Sequence, residues 1–262
     1  MRWCVALQRT TLILAGLGAA ACGDSGDAPA VGANAEAPIV GDTRADSEHP
    51  EVVRIGRPMP DGGMGTCTGT LIGAHTVLTA KHCLVKALAP SGACAVYVYV
   101  DLLGTGTLPP RTERYAAARC DVLDSTLLTE YSHDLGMIRL ATAVPGVAPA
   151  VLADSKTPSG RYTTYGYGSF GNGPLFGSLC QERSDGHKRT ATYEASLAVK
   201  FGQVTCPGDS GGPHFVTGTS ILAGVTSAGG ALFVAVEVNV DVSARRAWIL
   251  DMLRAYGDRP AG

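Results

Sequence analysis

The sequence predicts a mostly β domain that ends in one helix. Three features carry that expectation. Val, Ile, Thr and Tyr gather in short runs broken by Gly, Pro, Asn and Asp, as strands separated by turns do. Glycine is abundant, at 34 residues, while only 17% of residues are charged. Near the end, Ser243–Tyr256 (SARRAWILDMLRAY) sets Trp248, Ile249, Met252 and Leu253 at helical spacing, and Ser243 is suited to cap that helix.

The chain has 262 residues, room for one large domain or two small ones. A formal net charge of -2 gives no reason to expect nucleic acid or an acidic polymer as partner. No late segment is apolar for long enough to span a bilayer.

Residues 1–22 read as an export signal. Arg2 and Arg9 mark a basic start, and Thr10–Ala21 is an apolar run too short to span. The run ends in Ala19-Ala20-Ala21-Cys22, which fits two readings. One is ordinary secretion with a small-x-small cleavage site. The other is a lipoprotein signal of bacterial type, in which Cys22 becomes the lipidated first residue; Ala19 stands where Leu is more usual. Residues 23–38 carry almost no bulky apolar side chain, so they cannot offset the entropy of ordering and read as a flexible tether or propeptide. The domain proper is expected over 39–262.

Apart from Cys4 in the signal and Cys22, the cysteines are Cys67, Cys83, Cys94, Cys120, Cys180 and Cys206. An even number after processing suits disulfides in an oxidising compartment. A zinc site would want close CxxC or HxxxH pairs, and these are lacking.

The tetrapeptide Gly-Asp-Ser-Gly occurs twice, around Ser25 and around Ser210. Ser25 lies in the tether, with nothing to hold a base beside it. Ser210 lies among Gly208, Gly211 and Gly212. Such a turn can present a hydroxyl next to free backbone N–H groups, which suits acyl transfer; a plain glycine-rich turn is the bland alternative. The stretch also fits G-x-S-x-G, but an α/β-hydrolase needs its acid and then its histidine after the serine. Only His214 follows, with no acid between, so that order fails.

The opposite order, His then Asp then Ser, is available. His82 follows the strand-like runs Gly69–Gly73 and Thr76–Thr79, in Leu78-Thr-Ala-Lys-His-Cys83. Asp134 opens the apolar run Asp134-Leu-Gly-Met-Ile-Arg-Leu140, where a carboxylate can be buried while facing a neighbouring loop.

With Ile39-Val-Gly-Asp42 and Cys206-Pro-Gly-Asp-Ser-Gly-Gly-Pro213, these blocks resemble, in order, the chymotrypsin/trypsin family of serine proteases. Lys81 stands where the family has Ala, and Ser227-Ala-Gly229 lacks the family's Trp. The resemblance implies two six-stranded antiparallel β-barrels, a site in the cleft between them, and a C-terminal helix. It implies Ser210 as nucleophile, His82 as general base and Asp134 as orienting carboxylate, with the N–H groups of Gly208 and Ser210 as oxyanion hole. This acyl-transfer chemistry needs no metal or cofactor. It further implies that the α-amine of a processed Ile39 pairs with Asp209, after cleavage of Pro38–Ile39 by an activating protease. Cys67–Cys83 follows from the family; Cys180 is then the substitute partner for Cys206, leaving Cys94–Cys120. Polypeptides are the implied substrates, for a monomeric enzyme free in the exterior or tethered through Cys22. The other reading is an inactive member that binds a partner at the cell surface. Its mark would be a lost triad residue, and all three are present.

The residues expected to line the specificity pocket are Val204, Thr205, Ser227, Gly229 and Glu237. Val204 takes the floor position, where trypsin-like members carry Asp. Ala235-Val-Glu-Val-Asn-Val-Asp-Val242 alternates strictly, so its valines share one face. With the valines in the core, Glu237 and Asn239 face the pocket, and a buried carboxylate there favours cleavage after Lys or Arg. Cleavage after apolar residues is the alternative, with Glu237 merely solvated.

Overall fold

Alternation of apolar and polar residues builds the first half of the domain. In β4 (Tyr97–Leu102, YVYVDL), Val98, Val100 and Leu102 are buried and the intervening residues turn outward. Together with β1 (Val52–Pro58), β2 (Met64–Leu71), β3 (Thr76–Thr79), β5 (Arg111–Val122) and β6 (Gly136–Leu140), it closes a six-stranded barrel in the order β1-β2-β3-β6-β5-β4. Val53, Ile55, Leu71, Val77, Val98, Val100, Ile138 and Leu140 fill it. Outside, the guanidiniums of Arg54 and Arg114 lie over the rings of Tyr99 and Tyr97 at 4.5 and 4.7 Å.

The structure is a computed structural model that describes residues 44–59, 62–85, 94–104, 109–124, 131–157, 160–169, 180, 184–194, 197, 199–201, 205–232 and 234–262. The expected signal, the tether, Ser25, Cys22 and Ile39 lie outside the described residues, and so does Val204.

The second half contains β7 (Val151–Leu152), β8 (Arg161–Gly166), β9 (Arg189–Glu194), β10 (Val199–Phe201), β11 (Pro213–Val216), β12 (Ile221–Leu232) and β13 (Val234–Asp241). These make a seven-stranded sheet, β10-β13-β12-β11-β8-β9, with β7 added in parallel to β12. A second six-stranded, wholly antiparallel closed barrel is not shown among the described residues. Among the described residues no ladder joins the two ends of the path, and β10 offers only three residues for one. One apolar cluster joins the halves: Val52, Leu78 and Met137 from the barrel meet Tyr165, Phe215, Val225 and Val240 from the sheet.

The helix α1 (Val242–Tyr256) is present as expected, with Ile249 and Leu253 buried and Trp248 and Met252 packed against the same cluster. Its cap differs from expectation. Asp241, not Ser243, occupies the N-cap: its Oδ1 accepts from the N–H groups of Ser243 and Ala244 at 2.8 and 3.3 Å. Burial of Val242 carries the strand directly into the helix, which puts Ser243 inside the first turn. At the other end Gly257 (φ 74°) takes the left-handed cap, and its N–H reaches the carbonyl of Arg254.

Cys67–Cys83, Cys94–Cys120 and Cys180–Cys206 are all formed. The start of β9 and the residue before it hold two buried cations, Arg189 and Lys188. Arg189 pairs with both carboxylate oxygens of Asp185 at 2.8 and 2.9 Å, and Lys188 Nζ donates to the carbonyl of His49 at 2.9 Å.

Candidate active site

Pairing of β3 with β6 sets Thr79 opposite Gly136. His82 lies just past the end of β3, in the short 3-10 turn Lys81–Cys83, and Asp134 just before the start of β6. Antiparallel neighbours therefore deliver both side chains at one end of the barrel. The Cys67–Cys83 bridge ties the histidine turn to β2.

Asp134 is buried and accepts three hydrogen bonds. His82 Nδ1 lies 2.7 Å from Oδ2, the His82 backbone N–H donates to Oδ1 at 2.9 Å, and the Ser227 hydroxyl donates to Oδ2 at 2.7 Å. Burial would raise the Asp134 carboxyl, but these bonds outweigh it and hold it below the usual carboxylate range. A carboxylate facing Nδ1 assigns the proton to that nitrogen and leaves Nε2 as an acceptor.

Ser210 sits in the loop before β11, and its placement follows from the loop's backbone. Thr68 N–H donates to the Ser210 carbonyl at 2.9 Å. Gly211 N–H donates to the Thr226 carbonyl at 2.7 Å, next to Ser227. Gly211 has φ 84°, and a Cβ there would overlap Thr79 Oγ1 and the Thr68 carbonyl, so only glycine lets the loop come this close to the end of β3. The serine is thus held against the histidine turn. Among the described residues its hydroxyl makes no hydrogen bond, and the N–H groups of Gly208 and Ser210 have no acceptor. A nucleophile–base bond in an unliganded site is often formed only with substrate.

Asp209 points the other way, wholly buried. Its Oδ1 accepts from Gly168 N–H and its Oδ2 from Cys206 N–H, both at 2.7 Å. Thr205 and Ser227 are each 2% exposed. In β13, Glu237 lies opposite Lys200 on one side and Gly229 on the other; its side chain is outside the described residues. Asn239, two residues on, is buried and donates to the Leu197 carbonyl at 2.9 Å, so that face of the strand is not solvated there.

The ligand atoms of Cys67, His82 and Cys83 lie within 4.8 Å of one another, but the two sulfurs are bonded to each other and offer no thiolate to a metal. A cavity of about 410 Å³, bounded by Asp46, Asp101, Leu103, Arg111 and His187 among others, is lined by none of the expected site residues.

Several contributors were not read from the sequence. Lys81 is 1% exposed, and its ammonium lies 3.0 Å from Asp124, which also accepts from His133 at 2.7 Å. Lys81 precedes His82 and His133 precedes Asp134, so this array braces both segments. The unusual Lys81 was a local signal; its partner was not. Thr68 gave no signal at all.

The sequence model of the family described as Trypsin matches residues 38–249. Serine protease SP24D of Anopheles gambiae is 27% identical over 190 residues, which is 67% of this chain and 66% of that protein. The match thus covers just under two thirds of that relative's length. Among solved structures, neuropsin, a serine protease expressed in the limbic system of mouse brain, superposes with a TM-score of 0.58 at 20% identity, covering 81% of this chain and 99% of neuropsin. The scabies mite inactivated protease paralogue S-I1 gives 0.60 at 19% identity, covering 82% and 99%.

Proposed function

The chain belongs to the trypsin family of serine proteases, and from that premise we propose that it is a serine endopeptidase worked by Ser210, His82 and Asp134. One observation carries the reading: the His82–Asp134–Ser227 array beside a serine loop whose Gly208 and Ser210 N–H groups are unused.

Ser210 Oγ attacks the scissile carbonyl carbon while His82 Nε2 takes its proton. The Asp134 carboxylate holds the ring and stabilises the imidazolium. The former carbonyl oxygen, now negative, accepts from Gly208 and Ser210 N–H; one such donor is worth roughly 3 kcal/mol in the transition state. His82 returns the proton to the leaving amine, which departs and leaves an acyl-enzyme on Ser210. Water, activated by the same ring, then releases the acid and restores the hydroxyl.

A free α-amine on Ile39 is proposed to pair with Asp209 and order the oxyanion loop. Pro38–Ile39 is not a basic site, so another protease performs the cut. N-terminal sequencing of active material tests this, and any start other than Ile39 counts against it. Cleavage after Lys or Arg is proposed through Glu237, with apolar residues as the rival choice. A fluorogenic library varied at the residue before the cut decides. Turnover after Leu or Phe that equals turnover after Lys, unchanged in Glu237→Gln, removes Glu237 from the pocket.

The three disulfides fit an oxidising compartment, and export through residues 1–22 is proposed accordingly, as a free secreted protein or one with a lipid on Cys22. Partition into detergent that is lost in Cys22→Ala tests the lipid.

The inactivated mite paralogue keeps a second reading in view, a binding module without turnover. Ser210→Ala separates the two: peptide hydrolysis should vanish in it and persist in Ser25→Ala. Hydrolysis that survives Ser210→Ala, or none in the wild type, refutes the endopeptidase.

A further inference from the structure

Thr68 lies in β2, next to Cys67 and beyond the residues where β2 pairs with β3. The edge of β2 is therefore open at this point, and the nucleophile loop fills it. Every polar atom of Thr68 is used there. Its N–H donates to the Ser210 carbonyl at 2.9 Å, and its carbonyl accepts from Thr79 Oγ1 at 2.7 Å. Its hydroxyl accepts from Tyr167 N–H at 3.0 Å and donates to the Gly208 carbonyl at 2.9 Å. The residue is fully buried.

The hydroxyl matters because of what it holds. Gly208 has φ 104° and no side chain, so only bonds to its own peptide groups fix how its planes turn. Its N–H belongs to the proposed oxyanion hole, and its carbonyl is held by Thr68. Tyr167 N–H binds the same hydroxyl, and the next residue, Gly168, binds the Asp209 carboxylate. Gly208, Asp209 and Ser210 are thus each anchored by the Thr68 and Tyr167–Gly168 segments.

We propose that the Thr68 hydroxyl is the positioning group that sets the oxyanion loop, by bridging Tyr167 N–H and the Gly208 carbonyl. This rests on the serine endopeptidase reading and names a residue that acts through Gly208 without touching substrate. Thr68→Val keeps the shape and removes the hydroxyl, leaving two buried backbone groups to find other partners. The Gly208 peptide then turns, and its N–H misses the developing negative oxygen.

The test uses protein that begins at Ile39, with kcat and KM measured on one peptide substrate and thermal melting as the check on folding. In Thr68→Val, kcat should fall about 10- to 100-fold, less than the full loss of one oxyanion donor, while KM stays within about threefold. Affinity for a peptidyl boronate, whose adduct places an oxygen in the same hole, should fall in step with kcat/KM. Thr68→Ser keeps the hydroxyl and should retain kcat within about threefold. A purely structural threonine would lower the melting temperature and leave kcat alone. An unchanged kcat in folded Thr68→Val overturns the proposal, as does a Ser variant as impaired as Val. Should the Val variant not fold, Thr68→Ala against Thr68→Ser reads the same hydroxyl, with Ala expected to be the slower. A wild type that neither hydrolyses peptides nor labels at Ser210 with a phosphonate overturns the endopeptidase reading and this proposal with it. An active wild type matched by Thr68→Val overturns this proposal alone.

Discussion

Ser227→Ala removes one of three hydrogen bonds to Asp134 and leaves both His82 bonds to that carboxylate in place. The lost bond is 2.7 Å long, charged at the acceptor, and made by a hydroxyl that is 2% exposed. Such bonds contribute about 1.5–3 kcal/mol, so stability at pH 7 should fall by about 2 kcal/mol. The dependence on pH is the sharper mark. Asp134 ionises in the folded protein below its unfolded value of 3.8, so its contribution is complete above that value and is lost as pH falls through the lowered folded one. Removing a donor to the ionised form moves the folded value upward. The gap between wild type and variant should therefore be widest at neutral pH and close as pH falls through the carboxylate range and both carboxyls become neutral. Urea unfolding across that range, with equal slopes in the two proteins, measures it. A gap that does not change with pH would mean that Ser227 only packs; no gap would mean that the bond contributes nothing.

Lys81 and Asp124 should respond unequally to neutralisation. Lys81 is the buried partner and Asp124 is 28% exposed, so Asp124→Asn, which takes one carboxylate away from a buried ammonium, should destabilise more than Lys81→Met, which removes the ammonium itself. Denaturant unfolding of the two variants reads the order directly. Lys188 provides a test at alkaline pH. Burial pushes its ammonium down to about 8 from 10.5, so the unfolded chain binds more protons between those values and stability gains about 3 kcal/mol across that window as pH rises. The gain should be missing from Lys188→Met when the two proteins are compared between pH 7 and 11. Cys180→Ser with Cys206→Ser opens a bridge of sequence separation 26 and should cost about 3 kcal/mol of stability under oxidising conditions. It should also slow turnover, because Cys206 N–H is a donor to Asp209.

What the sequence made legible was local. Alternating valines mark the strands, and the glycines around Ser210 mark a loop that must come close to another backbone. His82 and Asp134 could be placed at strand ends, and the β3–β6 register then brings them together. The contributors it hid depend on distant approach. Thr68 is one threonine in a strand, and nothing nearby says that its edge receives the serine loop from Gly208 to Ser210. Asp124 meets Lys81 only because of how their segments pack. The helix cap failed for a smaller reason: Asp241 and Ser243 both suit the position, and the burial of Val242 chose between them. Closure of a second barrel is a long-range property that a pattern of short strands does not determine. The charged run Lys188-Arg189 gave no hint of burial, since its partners His49 and Asp185 belong to loops.

The proposed mechanism requires Ser210 to be a nucleophile activated by His82. Protein beginning at Ile39 should be treated with a serine-reactive phosphonate and its peptides mapped by mass spectrometry. One adduct is expected, on Ser210, formed at a rate that collapses in His82→Ala and absent in Ser210→Ala. An unlabelled Ser210 in folded, correctly processed protein, or labelling that is indifferent to His82, would contradict it.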